Sequence, residues 1–310
     1  MILALSLPAE DASPWVGLFE AALPEAKLQL HEPDAPARAE AERADYAVVA
    51  HPSATFFLEQ PSPKAVFTLS AGVRHVLRMP HLPRAPIVRV EDAGMASQMV
   101  RYVSTAAMRF VQRLDTYRAQ QRAGVWKQWP PRSPADVQCG VMGLGVIGGA
   151  IARALAAQGF AVRGYARSPK SIEGVRCFHG DAAPFLDGLD VLVNVLPATA
   201  HTAGILDRVA LARLADGAHV VNVGRGNALV DEDLLALIDE GKIAGATLDV
   251  FREEPLPTVH RYWTDPAITI TPHVAGLTIP DETVDQIARK IRALELGHAV
   301  SGVVDPEREY

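Results

Sequence analysis

The 310-residue chain is poor in cysteine, with only 2, Cys139 and Cys177. They stand in no metal-ligand spacing and cannot form a disulfide framework, which excludes a small stapled scaffold and a cysteine-held metal site. Cys139 falls inside an apolar run and reads as a small buried hydrophobe. An excess of basic residues is also lacking. Lys and Arg number 30 against 36 Asp and Glu, a net charge of −6, and the pI is about 5.9. Bulk charge therefore leaves no nucleic-acid footprint. No apolar run is long enough to span a bilayer. The opening MILALSLPAE is apolar but short and has no basic segment ahead of it, so it reads as a strand rather than a signal peptide. Internal repeats and low-complexity segments are absent. What remains is an ordinary globular composition, 49% hydrophobic and 21% charged, in a chain with room for two domains. A soluble cytoplasmic protein is expected, with neither nucleic acid nor membrane as partner.

The most informative stretch runs from Val137 to Lys170. An apolar run, 137–142, reads as a buried strand. Gly143-Leu-Gly145-Val-Ile-Gly148 follows, then an Ala-rich helical segment from Gly149 to Gln158, ended by Gly159, then a second strand over 160–165. Strand, glycine turn, helix and strand at this spacing make one dinucleotide-binding unit. Gly143 permits the tight turn, Gly145 lets backbone approach a pyrophosphate, and Gly148 lets the helix pack close to the strand. Val146 and Ile147 lie in the same turn, where helix N–H groups meet the phosphates. After the second strand, the slot that holds Asp or Glu in an NAD enzyme is Ala166, followed by Arg167, Ser168 and, past a proline, Lys170. A carboxylate would repel a 2′-phosphate, whereas a guanidinium binds one bidentately. NADP(H) is expected over NAD(H), and an exposed basic loop is the competing reading.

Strands are predicted at 2–7, 27–30, 46–50, 66–69 and 87–90, with a helix from Ser13-Pro14 to about Leu23. Strands alternating with helices imply a parallel sheet, whose sites lie at the carboxyl ends of strands. Ser70 to Val73 is then either an anion cradle of backbone N–H groups or a plain turn. From Ala96 to Ala123, Met99, Val103, Ala106, Phe110, Leu114 and Tyr117 recur at helical spacing. One long helix is expected there, joining two domains and meeting a partner subunit, with Trp126 and Trp129 in the loop beyond it as interface candidates. The domain boundaries follow: 1–95 with 277–310, and 96–276. Further strands are predicted at 190–196, 219–223, 245–250 and 268–270. Asp231 is expected to cap a helix. The segment 280–297 should form an amphipathic helix that returns to the first domain.

Three strand ends carry groups suited to one reaction: Arg225, Glu254 and His273. Hydride transfer to a ketone carbon leaves negative charge on oxygen, so a proton donor is needed there. His273 can donate. Glu254 beside it would favour imidazolium and orient the ring. Arg225 can clamp a carboxylate and polarise the adjacent carbonyl.

At these residues the chain resembles the D-isomer-specific 2-hydroxyacid dehydrogenase family. The glycine fingerprint, Val223-Gly224-Arg225-Gly226, Leu248-Asp249-Val250-Phe251 with Glu254-Pro255-Leu256, and Thr271-Pro272-His273-Val274-Ala275 occur in the family's order. Leu69 to Val73, Glu91 to Met95, Gln98-Met99 and Tyr165 to Lys170 are similar to its glyoxylate and hydroxypyruvate reductases. The resemblance implies an α/β protein of two Rossmann-like domains with parallel sheets, a flavodoxin-like substrate domain and an NAD(P)-binding domain, separated by a cleft and assembled as a homodimer. It implies that His273 is the acid/base, that Arg225 binds the substrate carboxylate, and that backbone at Ala71, Gly72 and Val73 helps hold it. It places Leu196, Pro197, Thr199, Val223, Gly224, Asp249, His273, Ala275 and Gly276 along the nicotinamide half of the cofactor. NADPH-dependent reduction of a small 2-oxoacid follows, with a larger 2-ketoacid or a nucleotide-sensing, corepressor-like role as alternatives. Arg74-His75 stands where relatives commonly carry Asp, and Arg74 is expected to favour a second anionic group on the substrate.

Overall fold

The computed structural model describes residues 1–7, 12–31, 42–50, 52–69, 72–305 and 307, leaving aside the side chains of Ser13 and Arg74. The chain divides into two compact units, Met1–Gly94 with Thr278–Tyr310, and Met95–Leu277. Among the described residues, no helix is long and apolar enough to cross a membrane.

The first unit holds strands β1 (Ile2–Ser6), β2 (Lys27–Leu30), β3 (Tyr46–Val49), β4 (Ala65–Thr68) and β5 (Ile87–Val88), all parallel, in the order β2-β1-β3-β4-β5. This is the flavodoxin-like order. The inner strands β3 and β4 are buried at every position, as continuous apolar runs must be when both faces of a parallel sheet are covered. The edge strand β2 is partly exposed. The helix Pro280–Glu295 belongs to this unit and packs beside Ala12–Ala22. Pro280 and the acids Asp281 and Glu282 fit its first turn. Its apolar face buries Val284, Ile287, Ala288 and Ile291. Its last turn is tied down by Glu295, which accepts from Tyr46 Oη and Lys64 Nζ, both at 2.7 Å.

The second unit holds seven parallel strands: β6 (Gln138–Met142), β7 (Ala161–Tyr165), β8 (Val175–Phe178), β9 (Val191–Asn194), β10 (Ala218–Asn222), β11 (Ile243–Leu248) and β12 (Ile268–Ile270). Their order is β12-β11-β10-β9-β6-β7-β8. The order reverses between β6 and β9, which is the switch point where such sheets bind dinucleotides. The helix Val146–Ala157 packs against Met95–Val111 through Ile151, Ala152 and Leu155 on one side and Val103, Ala106 and Ala107 on the other. Fully burying one Val or Leu in such a core contributes roughly 1.5–3 kcal/mol.

Three local expectations are corrected. The long helix expected over 96–123 is two helices, Met95–Val111 and Leu114–Ala123, separated at Arg113, which takes a left-handed φ of 52°. The apolar face that packs on Val146–Ala157 ends at Val111, and no residue of the second helix is buried. Leu114 and Tyr117 keep the helical spacing but face outward. Asp231 is the first residue of its helix and not its cap; its carboxylate accepts from Tyr262 Oη at 2.9 Å. The edge strand β8 carries no strong apolar pattern and was not expected.

His219 in β10 gives a testable stability term. Its Nε2 lies 2.9 Å from Thr247 Oγ1 on β11, and the Phe110 ring is 6.2 Å away. Burial pulls its pKa down to about 4, with Asp115 opposing and Arg109 reinforcing the shift. The folded state therefore holds His219 neutral, while the unfolded chain takes up a proton near pH 6.5. The contribution is present above that value and lost as pH falls toward 4. Between pH 7 and pH 5 it should cost the wild type about 2 kcal/mol. Urea unfolding at both pH values should show a smaller loss for His219→Gln; equal losses would remove this assignment.

Candidate active site

Six consecutive strands of the second sheet end at one edge. In sheet order, that edge carries His273 beyond β12, Asp249 to Glu254 beyond β11, Arg225 beyond β10, Leu196 to Thr199 beyond β9, the glycine turn beyond β6 and Ala166 to Lys170 beyond β7. Parallel topology produces this convergence, since every strand delivers its carboxyl end to the same side.

The glycine turn fits a dinucleotide. Gly143 has φ 109°, a value closed to residues with side chains. A Cβ on Gly148 would stand 1.7 Å from Gly143 O, so the helix could not approach the strand with any other residue there. A Cβ on Gly145 would meet nothing within 4 Å, leaving open space over the N-terminus of the helix. That helix starts at Val146, earlier than the expected Gly149, so its unpaired N–H groups lie at the turn itself. Val146 is exposed and Ile147 partly buried. At the end of β7, Ala166 is buried while Arg167, Ser168 and Lys170 are exposed. No carboxylate stands between 166 and 170.

His273 and Glu254 are brought together. His273 Nδ1 lies 2.8 Å from Glu254 Oε2, and Glu254 Oε1 accepts from Phe251 N at 2.9 Å. With Nδ1 donating to the carboxylate, Nε2 is left for a ligand. Arg225 is partly buried, and its Nη1 donates to Gly224 O at 2.7 Å. Burial pulls its guanidinium below the ordinary value and the negative charge of Glu254 opposes this, so Arg225 senses the same carboxylate. Gly226 allows the turn to sit there, because a Cβ would lie 1.9 Å from Phe251 C.

Several supporting groups were not singled out from sequence. Asn194 and Asn222 are fully buried at the ends of neighbouring strands. Asn194 Nδ2 donates to Asn222 Oδ1 at 2.9 Å, Leu196 N donates to Asn194 Oδ1, and Gly224 N donates to Asn222 Oδ1. Asn222 Nδ2 donates to Arg225 O at 3.3 Å. This pair fixes the Leu196 and Gly224 turns relative to each other. The signal was available: both strands read as apolar runs interrupted by one Asn, in VLVNV and VVNV. Thr202 ties the next turn, donating to Pro197 O at 2.6 Å and accepting from Thr199 N at 2.9 Å. Val223 is buried. Asp249 is 1% exposed. Its carboxylate accepts from Thr271 Oγ1, Val274 N and Ala275 N at 2.6, 2.8 and 2.9 Å, so its lone pairs are directed at the His273 turn. Ala275 is buried and Gly276 partly buried in the same segment.

In the first unit, Gly72 and Val73 stand just beyond β4, and Val73 is buried. Ala71, also expected to contact substrate, and Ser70 lie outside the described residues. His75 Nε2 lies 2.6 Å from Ala50 O.

Comparison with known proteins follows the same lines. The family profile for the D-isomer specific 2-hydroxyacid dehydrogenase NAD-binding domain matches residues 104–275. The chain is 41% identical over 308 residues to a glyoxylate/hydroxypyruvate reductase A of Serratia proteamaculans, covering 96% of each chain. It is 40% identical over 311 residues to the protein of that description from Photorhabdus laumondii, covering 98% of each. Among solved structures, a D-isomer specific 2-hydroxyacid dehydrogenase from Xanthobacter autotrophicus, in complex with NADPH and MES, matches with TM-score 0.92 and 37% identity over 99% of each chain. An NADPH-dependent glyoxylate/hydroxypyruvate reductase from Sinorhizobium meliloti, in complex with NADP and sulfate, matches with TM-score 0.89 and 34% identity, covering 100% of this chain and 99% of the other. Full-length identity at this level, joined to a Rossmann strand order and a glycine turn shaped for a dinucleotide, leaves one assignment: the chain is an oxidoreductase with an NAD(P)-binding domain and belongs to the D-isomer-specific 2-hydroxyacid dehydrogenase family.

Proposed function

We propose that the protein reduces small 2-oxoacids with NADPH, glyoxylate to glycolate and hydroxypyruvate to D-glycerate. The observation that carries this reading is the His273–Glu254 pair at 2.8 Å beside the partly buried Arg225, at the edge where the dinucleotide sheet ends. NADPH, when bound, supplies the hydride to the carbonyl carbon. Arg225 holds the substrate carboxylate with two parallel hydrogen bonds and draws charge toward the carbonyl oxygen. His273 gives the proton on Nε2 to that oxygen as negative charge develops there. Glu254 accepts from Nδ1 and so fixes the ring with Nε2 toward the substrate oxygen. The same reading takes the protein as a homodimer, supported by exposed apolar side chains near the chain's middle: Leu114, Trp126 at 97% exposure and Trp129.

The cofactor preference rests on Arg167, Ser168 and Lys170 at the end of β7, where no acid would repel a 2′-phosphate. The relatives of known structure that carry NADP or NADPH support it. The test is NADPH and NADH oxidation with glyoxylate, hydroxypyruvate, pyruvate, phenylpyruvate and oxaloacetate, on protein whose mass in solution is measured alongside. Glyoxylate and hydroxypyruvate with NADPH should be turned over fastest. Arg167→Asp should lower the NADPH/NADH ratio of kcat/KM by about a hundredfold. An unchanged ratio would defeat the cofactor assignment, and turnover of phenylpyruvate alone would move the substrate to a larger acid. Oxaloacetate outrunning pyruvate would support the role of Arg74; a monomeric mass would count against the dimer.

A further inference from the structure

His273 is held in an unusual backbone state. Its φ is 55°, the left-handed region that a residue with a side chain rarely occupies. Such a conformation persists only where surrounding bonds over-determine it. Those bonds come from Asp249. Its backbone O accepts from His273 N at 2.9 Å. Its carboxylate Oδ1 accepts from Val274 N, and Oδ2 from Ala275 N. The remaining partner is Thr271, whose Oγ1 donates to Asp249 Oδ1 at 2.6 Å.

A hydroxyl has one hydrogen, and Thr271 spends it on Asp249. The contact of 2.6 Å between Thr271 Oγ1 and Tyr102 Oη therefore has the phenol as donor. Donation runs from Tyr102 to Thr271 and ends on the Asp249 carboxylate, which also accepts from the turn that carries His273. Burial pushes the Tyr102 phenol above its ordinary range, with the Thr271 contact opposing and the Asp249 charge adding to the shift, so the phenol keeps its proton. Tyr102 lies on Met95–Val111, the helix packed against the one that opens at the glycine turn. The phenol thus reaches the His273 turn from the element that also backs the dinucleotide helix.

We propose that Tyr102 and Thr271 are positioning residues for the proton transfer: acting through the Asp249 carboxylate, they hold the His273 turn in register so that Nδ1 meets Glu254 and Nε2 meets the substrate oxygen. The proposal rests on reading His273 as the acid. Removing the Thr271 hydroxyl leaves a buried carboxylate short of a donor and Tyr102 short of its acceptor, so the turn should relax. A relaxed turn carries the imidazole out of line with Glu254 and the substrate oxygen, so kcat falls while cofactor binding is kept.

The experiment compares kcat and KM of wild type, Tyr102→Phe, Thr271→Val, Thr271→Ser and His273→Asn in NADPH-dependent glyoxylate reduction, with NADPH binding and thermal melting in parallel. Tyr102→Phe should lower kcat about tenfold and Thr271→Val up to about a hundredfold, the size expected when a reacting group is displaced by a fraction of an ångström to one ångström. Thr271→Ser, which keeps the hydroxyl, should restore kcat to within about threefold of wild type, and NADPH affinity should hold to the same margin in all variants. Wild-type kcat in Tyr102→Phe and Thr271→Val, with His273→Asn inactive, would overturn the proposal and leave the acid assignment standing. Losses that follow melting temperature and NADPH affinity, without rescue by Ser, would also overturn it, as the mark of packing alone. Full activity in His273→Asn would instead remove the acid assignment itself.

Discussion

Replacing His273 by Asn should lower kcat for glyoxylate reduction by about a thousandfold while leaving NADPH affinity within a few-fold of wild type. General acid catalysis by a placed side chain is worth roughly a hundredfold to ten-thousandfold. The middle of that range applies because the imidazole is fixed at both ends: Nδ1 by Glu254 at 2.8 Å and the backbone by Asp249. Asn can imitate the bond to Glu254 but cannot supply a proton to the substrate oxygen. NADPH affinity should survive because the proposed reading puts the phosphates at the turn beyond β6, four strand positions from the β12 end that carries His273. Single-turnover oxidation of pre-bound NADPH separates the two terms. A slowed hydride step with an unchanged binding isotherm is the expected result; an unchanged single-turnover rate would mean that water or another group delivers the proton.

The sequence makes part of this site legible and hides the rest for identifiable reasons. The glycine turn, the buried strands and the ordering of Arg225, Glu254 and His273 are local patterns, since a strand end is visible wherever an apolar run meets a polar group. Parallel topology then brings those ends together without needing to be read from the residues. What is hidden depends on bonds between segments. Asp249 falls at a strand end like the others, yet its carboxylate is directed into the protein, to Thr271, Val274 and Ala275. Nothing in its own neighbourhood distinguishes that from facing a ligand. Tyr102 sits 169 positions from the threonine it bonds and reads as one more member of a helix. The break at Arg113 is hidden in the same way, because Leu114 and Tyr117 preserve the period while the packing partner has already ended. Periodicity reports which face is apolar; whether anything covers that face is a tertiary fact.

Arg225→Gln should be as damaging as loss of His273, but through a different constant. kcat/KM for glyoxylate should fall by roughly a thousandfold, most of it as a raised KM, since truncating one partner of a desolvated, hydrogen-bonded charge pair costs about 2–5 kcal/mol. Arg225→Lys should recover only part of this. It keeps the charge but loses the planar fork that meets both carboxylate oxygens, and a point charge on a flexible stem cannot both hold the carboxylate and polarise the neighbouring carbonyl. The comparison is clean because the backbone at this position is set independently of the side chain. Asn222 donates to Arg225 O at 3.3 Å, and Gly226 packs directly on Phe251. Both constraints remain when the guanidinium is removed, so the turn keeps its place and the effect reads the head group. Steady-state kinetics with glyoxylate at saturating NADPH gives the split between KM and kcat. If Arg225→Gln binds and turns over glyoxylate as wild type does, the carboxylate is held elsewhere, and the guanidinium's role shrinks to its bond with Gly224 O and its field at Glu254.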